Sequence, residues 1–138
     1  MKKIVLISCV SKKKDYPTEA ENIYESALFK YSLGYAKSLK PDDIYILSAH
    51  HGLLELDKKI EPYEKTLNKM GVRERREWSE RVLKQMISKG LDLEKDKFVI
   101  LAGNSYREYL VQHINNYEVP MEGLRIGEQL SFLKKRVK

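Results

Sequence analysis

The chain has 138 residues, 33% charged and 42% apolar, with a formal net charge of +6. That length and balance predict one globular domain, residues 1–138, with enough core to fold without staples. A single cysteine excludes an internal disulfide and fits a reducing cytoplasm, and no apolar run approaches the roughly 20 residues a membrane span needs.

The first predicted element is the apolar run Lys3-Ile4-Val5-Leu6-Ile7, too short for the core of a signal peptide and read as a buried strand. It opens into Ser8-Cys9 and the basic loop Lys12-Lys13-Lys14. A helical pattern runs from Ala20 to Leu39, with Ser26 as an N-cap and Ala27, Tyr31, Tyr35 and Leu39 along one face. Ile44 to Leu47 is the second buried strand, which breaks into Ser48, Ala49, His50, His51 and Gly52. The stretch from Leu53 to about Gly71, including Pro62-Tyr63, reads as one long functional connection. Arg73 to Lys89 is the clearest helix, closed by Gly90. Phe98 to Leu101 is a third buried strand, followed by Gly103-Asn104-Ser105 and a helix predicted to about Asn115. Tyr117 to Pro120 is a short fourth strand, and Glu122 to Gly127 leads into a terminal helix.

Strands that are apolar throughout and alternate with amphipathic helices predict a parallel sheet covered on both faces. The expected fold is therefore an α/β three-layer sandwich with a four-stranded parallel sheet. The loops after its strands, at Ser8, Ser48, Gly103 and Gly123, should emerge on one edge, where such sheets bind ligands. The residues expected around one cleft are Ser8, Cys9, Ser48, His50, Gly103 and Glu122.

Each candidate has two readings. His50 and His51 are adjacent and diverge, so one of them is either an acid/base near neutral pH or a tie that holds the loop. Cys9, beside lysines, is either a thiolate or a small buried residue. Lys12 to Lys14 either hold phosphate, or supply an amine nucleophile, or form a solvated loop. Gly103-Asn104-Ser105 opens a helix and Gly123 through Gly127 precede the last one, and both segments offer backbone N–H groups that suit an anion. Neither matches a dinucleotide or P-loop fingerprint. Tyr24, Tyr63 and Tyr106 are candidates to stack on a base. The Cys/His content lacks the spacing of a closed zinc site, so no metal and no cofactor are expected.

Taken together, Ser8-Cys9 with Lys12 to Lys14, Ile23-Tyr24-Glu25-Ser26-Ala27-Leu28-Phe29, Ile46 to Leu53, Pro62-Tyr63, Trp78, Leu101-Ala102-Gly103 with Tyr106, and Pro120 to Gly127 with Gln129-Leu130 resemble a family of small bacterial and phage proteins classed as a domain of unknown function. More distantly, Cys9, Lys12 and Ser26 are similar to a cysteine–lysine–tyrosine–serine pattern in the core domain of archaeosine synthase, which belongs with folds similar to uracil-DNA glycosylase. Here the interval from lysine to Tyr24-Glu25-Ser26 is longer, and the glycosylase signature is absent. The resemblance implies strand order 2-1-3-4 and a modified nucleobase or nucleoside as ligand, without carrying over a mechanism. The expected function is an enzyme acting on a nucleobase, nucleoside or nucleotide, free or within DNA or RNA. Cys9, Lys12, His50 and His51 would be catalytic, and Ser8, Tyr24, Ser26, Ser48, Gly52, Tyr63, Gly103, Tyr106, Glu122 and Gly127 would hold the substrate. The alternative is a non-enzymatic module binding the same ligands. No membrane partner is expected.

Overall fold

The computed structural model describes residues 1–10 and 12–137; Ser11 and Lys138, which belongs to a basic run with Lys134, Lys135 and Arg136, lie outside the described residues. Its centre is a five-stranded, mostly parallel sheet. β1 (Lys3–Ser8) pairs in parallel with β3 (Asp43–Ser48) on one side and β6 (Lys97–Leu101) on the other. Ile4, Val5, Leu6 and Ile7 are all buried, and successive strand side chains point to opposite faces, so both faces of the sheet are covered. One group of helices pairs α2 (Ala27–Ser38) with α5 (Ile126–Arg136). The other brings α3 (Val72–Ser88) against the short α4 (Asn104–Arg107). Among the described residues, no helix is long and apolar enough to cross a membrane.

Three features differ from the sequence-based expectation. First, the sheet has a fifth strand, so its size and order are not those of a four-stranded sheet. β4 (Gly52–Glu55) returns antiparallel along β3, and the full order is β4-β3-β1-β6-β7, with β7 at Tyr117–Glu118. Gly52 makes the return feasible: its φ of 75° lies in the left-handed region that favours glycine. Ser48 then pairs with Gly52, and Leu53 and Leu54 are buried. The connection expected from Leu53 onward thus begins with a strand. It also contains β5 (Lys59–Ile60), which pairs antiparallel with β2 (Thr18–Glu19).

Second, the helix expected over Ala20 to Leu39 is two helices. α1 (Ala20–Ile23) ends where Tyr24 turns extended, with ψ of 121°, and α2 restarts on Ser26, whose hydroxyl accepts from Phe29 N at 3.0 Å. Third, the helix expected to Asn115 stops at α4. The chain tightens into a 3₁₀ turn at Val111–His113, and Asn115 N donates to Leu93 O at 2.9 Å, which turns the backbone toward β7.

Candidate functional site

β1, β3 and β6 run parallel in register, so Ser8, Ser48 and the segment after Leu101 leave the sheet at the same edge. That edge divides into two adjoining clusters, with Cys9 between them.

The first cluster surrounds a cavity of about 550 Å³. Cys9 N donates to Leu47 O at 3.0 Å, which extends the β1 ladder by one residue and fixes the thiol at the sheet edge. Cys9 is buried, with Sγ 3.4 Å from the Tyr106 hydroxyl. Leu67 N approaches the same hydroxyl at 3.5 Å. The Tyr106 ring stands edge-on to Trp78 at 5.7 Å between centroids. Burial, and then the neighbouring Cys9, push the Tyr106 phenol well above its ordinary range, so it stays protonated at neutral pH. Ser8, Cys9, Gly103 and Tyr106 all line the cavity. Apolar surface comes from Phe29, Met121 and Leu124, and amide groups from Asn68, Asn104 and Gln129.

The second cluster is built on Tyr63. Its hydroxyl lies 2.7 Å from the Tyr24 hydroxyl and 2.8 Å from Ser48 Oγ, so three hydroxyls form a chain. Ser48 Oγ also accepts from His51 N at 3.0 Å, and Ser48 O accepts from Trp78 Nε1 at 2.9 Å. Burial raises Tyr24 and Tyr63 far above the ordinary phenol range, so both remain neutral donors. His50 stacks on the Tyr63 ring at 5.4 Å, and His51 meets the same ring edge-on at 5.5 Å. The backbone of the two histidines is held from α3: Arg81 Nη2 donates to His50 O, and Gln85 Nε2 donates to His51 O.

Lys13 joins this cluster, and Lys12 does not. Lys14 N donates to Ile23 O and Glu25 N donates to Lys12 O, which sets Lys13 opposite Tyr24 in an isolated antiparallel bridge. Alternation along the bridge places Lys13 Nζ 4.3 Å from the Tyr63 ring centre, a cation–π distance, while Lys12 is exposed. Burial lowers the Lys13 pKa, against the opposing pull of Cys9 and Glu64.

The expected single cleft is therefore two clusters. Ser48, His50 and His51 are held around Tyr63 and do not line the cavity. Ser26 is engaged as the α2 cap, and Gly52 serves the turn. Glu122 does not line the cavity but lies 3.4 Å from Nη2 of Arg107, which does, and Gly127 faces a separate shallow depression with Leu130 and Lys134. The sequence places Trp78 on the core face of the long helix and Gln129 in the family pattern without pointing either to the site, and nothing in local spacing marks Arg107. Among the described residues, no group of three or more His, Cys, Asp or Glu side chains is arranged to hold a metal ion.

His51 gives the site a pH dependence. Its Nε2 is buried without a hydrogen-bond partner among the described residues. Burial lowers its pKa below the ordinary 6.5, helped by His50, Lys58 and Arg81. The unfolded chain thus takes up a proton at higher pH than the folded chain, so this residue makes stability fall as pH drops below about 6.5. Denaturant titrations at pH 5, 6 and 8 should show His51→Gln gaining on the wild type as pH falls. Parallel stability curves for the two proteins would refute that assignment.

A family model described as a family of unknown function (DUF6884) matches residues 4–135. No curated protein and no solved structure matches the chain.

Proposed function

The chain belongs to the DUF6884 family of unknown function, and from that premise we propose that it is an enzyme acting on a nucleobase, nucleoside or nucleotide bound at the carboxyl edge of its sheet. The observation that carries the reading is the cavity beside Cys9. Its volume of about 550 Å³ suits a small-molecule site, as does its place beyond the ends of parallel strands. Apolar surface from Phe29, Met121 and Leu124 suits the faces of a planar ring. The amides of Asn68, Asn104 and Gln129 offer both donors and acceptors, as the edge of a base requires.

The chemistry follows from what adjoins that ring site. Cleaving a glycosidic bond requires a donor for the departing base and electrostatic support for the cationic sugar. The protonated Tyr106 phenol supplies a hydrogen-bond donor for the departing base. The Cys9 sulfur beside it would bond to the sugar carbon as the glycosidic C–N bond breaks, and the thiol proton would leave with the base. Water would then hydrolyse the C–S bond to free the sugar and restore the thiol. The second reading is binding without turnover. It draws on the position of the histidines, which lie around Tyr63 and outside the cavity.

Both readings are tested together. Thermal shift and calorimetry with nucleobases, nucleosides and nucleotides should find a ligand, since saturation at 100 Kd stabilises by about 2.7 kcal/mol. Gly103 lines the cavity at a negative φ of −70°, and a Cβ there meets nothing within 4 Å. Gly103→Leu should therefore keep its melting temperature and lose the ligand. Chromatography for released base separates enzyme from binder, and Cys9→Ala should stop release while leaving binding intact. If no ligand of this class binds, or Gly103→Leu binds as well as wild type, the cavity reading fails. Should the natural base sit within DNA or RNA, affinity would fall with salt by a slope of about 0.7 per phosphate contact on a single strand.

A further inference from the structure

The charge of the cavity narrows the ligand further. Its charged lining side chains are Lys65 and Arg107, both cationic, and among the described residues no carboxylate lines it. Arg107 is prearranged. Its side chain is 14% exposed, Nη1 donates to Ala102 O at 3.1 Å, and Nη2 lies 3.4 Å from Glu122. Those bonds hold the guanidinium plane at the wall and leave its other N–H groups for a partner. Glu122 is 69% exposed and solvent-screened, so it only partly offsets the charge. Lys65, at the exposed rim, adds a second cation on a flexible stem.

We infer that the cavity recognises a phosphate monoester, through a fork of Arg107 supported by Lys65, so that the ligand is a nucleoside monophosphate rather than a free base or nucleoside. An arginine fork matches phosphate geometry in a bidentate way, which fixes orientation as well as attraction. The inference rests on the proposed function for the base, but the phosphate subsite itself stands on the cavity lining alone.

The test is calorimetric titration of the full chain with nucleosides, their 5′-monophosphates, ribose 5-phosphate and a 5′-phosphorylated single-stranded oligonucleotide. The monophosphate of the preferred base should bind at least about tenfold more tightly than its nucleoside, a difference of about 1.4 kcal/mol. Arg107→Gln should remove that advantage while leaving nucleoside affinity within about twofold. Arg107→Lys should restore part of it, because the charge returns without the fork. If Arg107→Gln fails to fold, Lys65→Gln carries the test, since Lys65 is exposed and should still reduce the advantage severalfold. Binding of ribose 5-phosphate without preference for any base supports the subsite and overturns the nucleobase reading. Binding of the oligonucleotide alone supports the subsite and assigns its phosphate to a polymer end. Equal affinity for nucleoside and monophosphate, or an advantage that survives both substitutions, overturns the inference.

Discussion

Trp78→Ala is expected to destabilise the protein by about 3–5 kcal/mol, the cost of emptying a buried aromatic site. Trp78 is 5% exposed, and its indole N–H donates to the carbonyl of Ser48 at the end of β3. The same ring supports Tyr106, whose hydroxyl lies against Cys9. Alanine therefore opens a void, leaves the Ser48 carbonyl without its donor, and frees one wall of the cavity. Trp78→Phe separates the effects: it keeps most of the packing and loses the donor, for about 1–3 kcal/mol. Denaturant unfolding measures both, and the alanine variant should melt roughly 10–20 °C lower. An alanine variant as stable as wild type would contradict the view that Trp78 ties α3 to the sheet edge.

The second large effect is expected at Gly52→Ala, at about 2–5 kcal/mol. The left-handed backbone there, at φ 75°, costs a non-glycine residue about 1–2 kcal/mol. The added Cβ would also fall 2.3 Å from Gln85 Oε1. Gln85 has no slack to offer, because Oε1 accepts from Leu53 N at 2.8 Å and Nε2 donates to His51 O at 3.1 Å. Moving it breaks both bonds, for roughly 0.5–1.5 kcal/mol each. A double-mutant cycle with Gln85→Ala tests the mechanism, since the pair should cost less than the sum of the singles. Strict additivity would mean that the clash with Gln85 contributes nothing. Because that turn carries His50 and His51, the single variant should also disturb their stacking on Tyr63, visible as shifted imidazole resonances.

The parallel core was legible in the sequence for a plain reason. Ile4 to Ile7 and Phe98 to Leu101 are buried on both faces, and such strands read as unbroken apolar runs. The long helix was legible in the spacing of Trp78, Val82 and Met86, all of which are buried on one side of α3. Once the central strands are parallel, Ser8, Ser48 and Gly103 must leave at one edge, whatever the loops do next. β4 was not legible: Gly52–Glu55 is too short to show a period, and its partner is chosen by a turn of three residues. The truncation of α4 was equally hidden, because Tyr106, Leu110 and Ile114 are buried as a helical pattern would require, although the helix itself ends at Arg107.

Residue patterns alone are enough to fix the central parallel strands, the long helix and the edge at which the loops after those strands emerge. Tertiary structure decided how that edge is divided. Lys13 turns inward instead of Lys12 because an antiparallel bridge to Tyr24 fixes which side chains alternate toward Tyr63. Tyr24 and Tyr63 meet across 39 residues, and Tyr106 reaches Cys9 across 97, distances that no local periodicity encodes. Arg107 and Lys65 share a cavity because α4 and the connection after β5 meet over one sheet end. Local patterns report which faces are buried, since burial follows from each side chain's own hydrophobicity. Which polar groups meet on those faces depends on chain closure over long intervals, and only the folded backbone sets that.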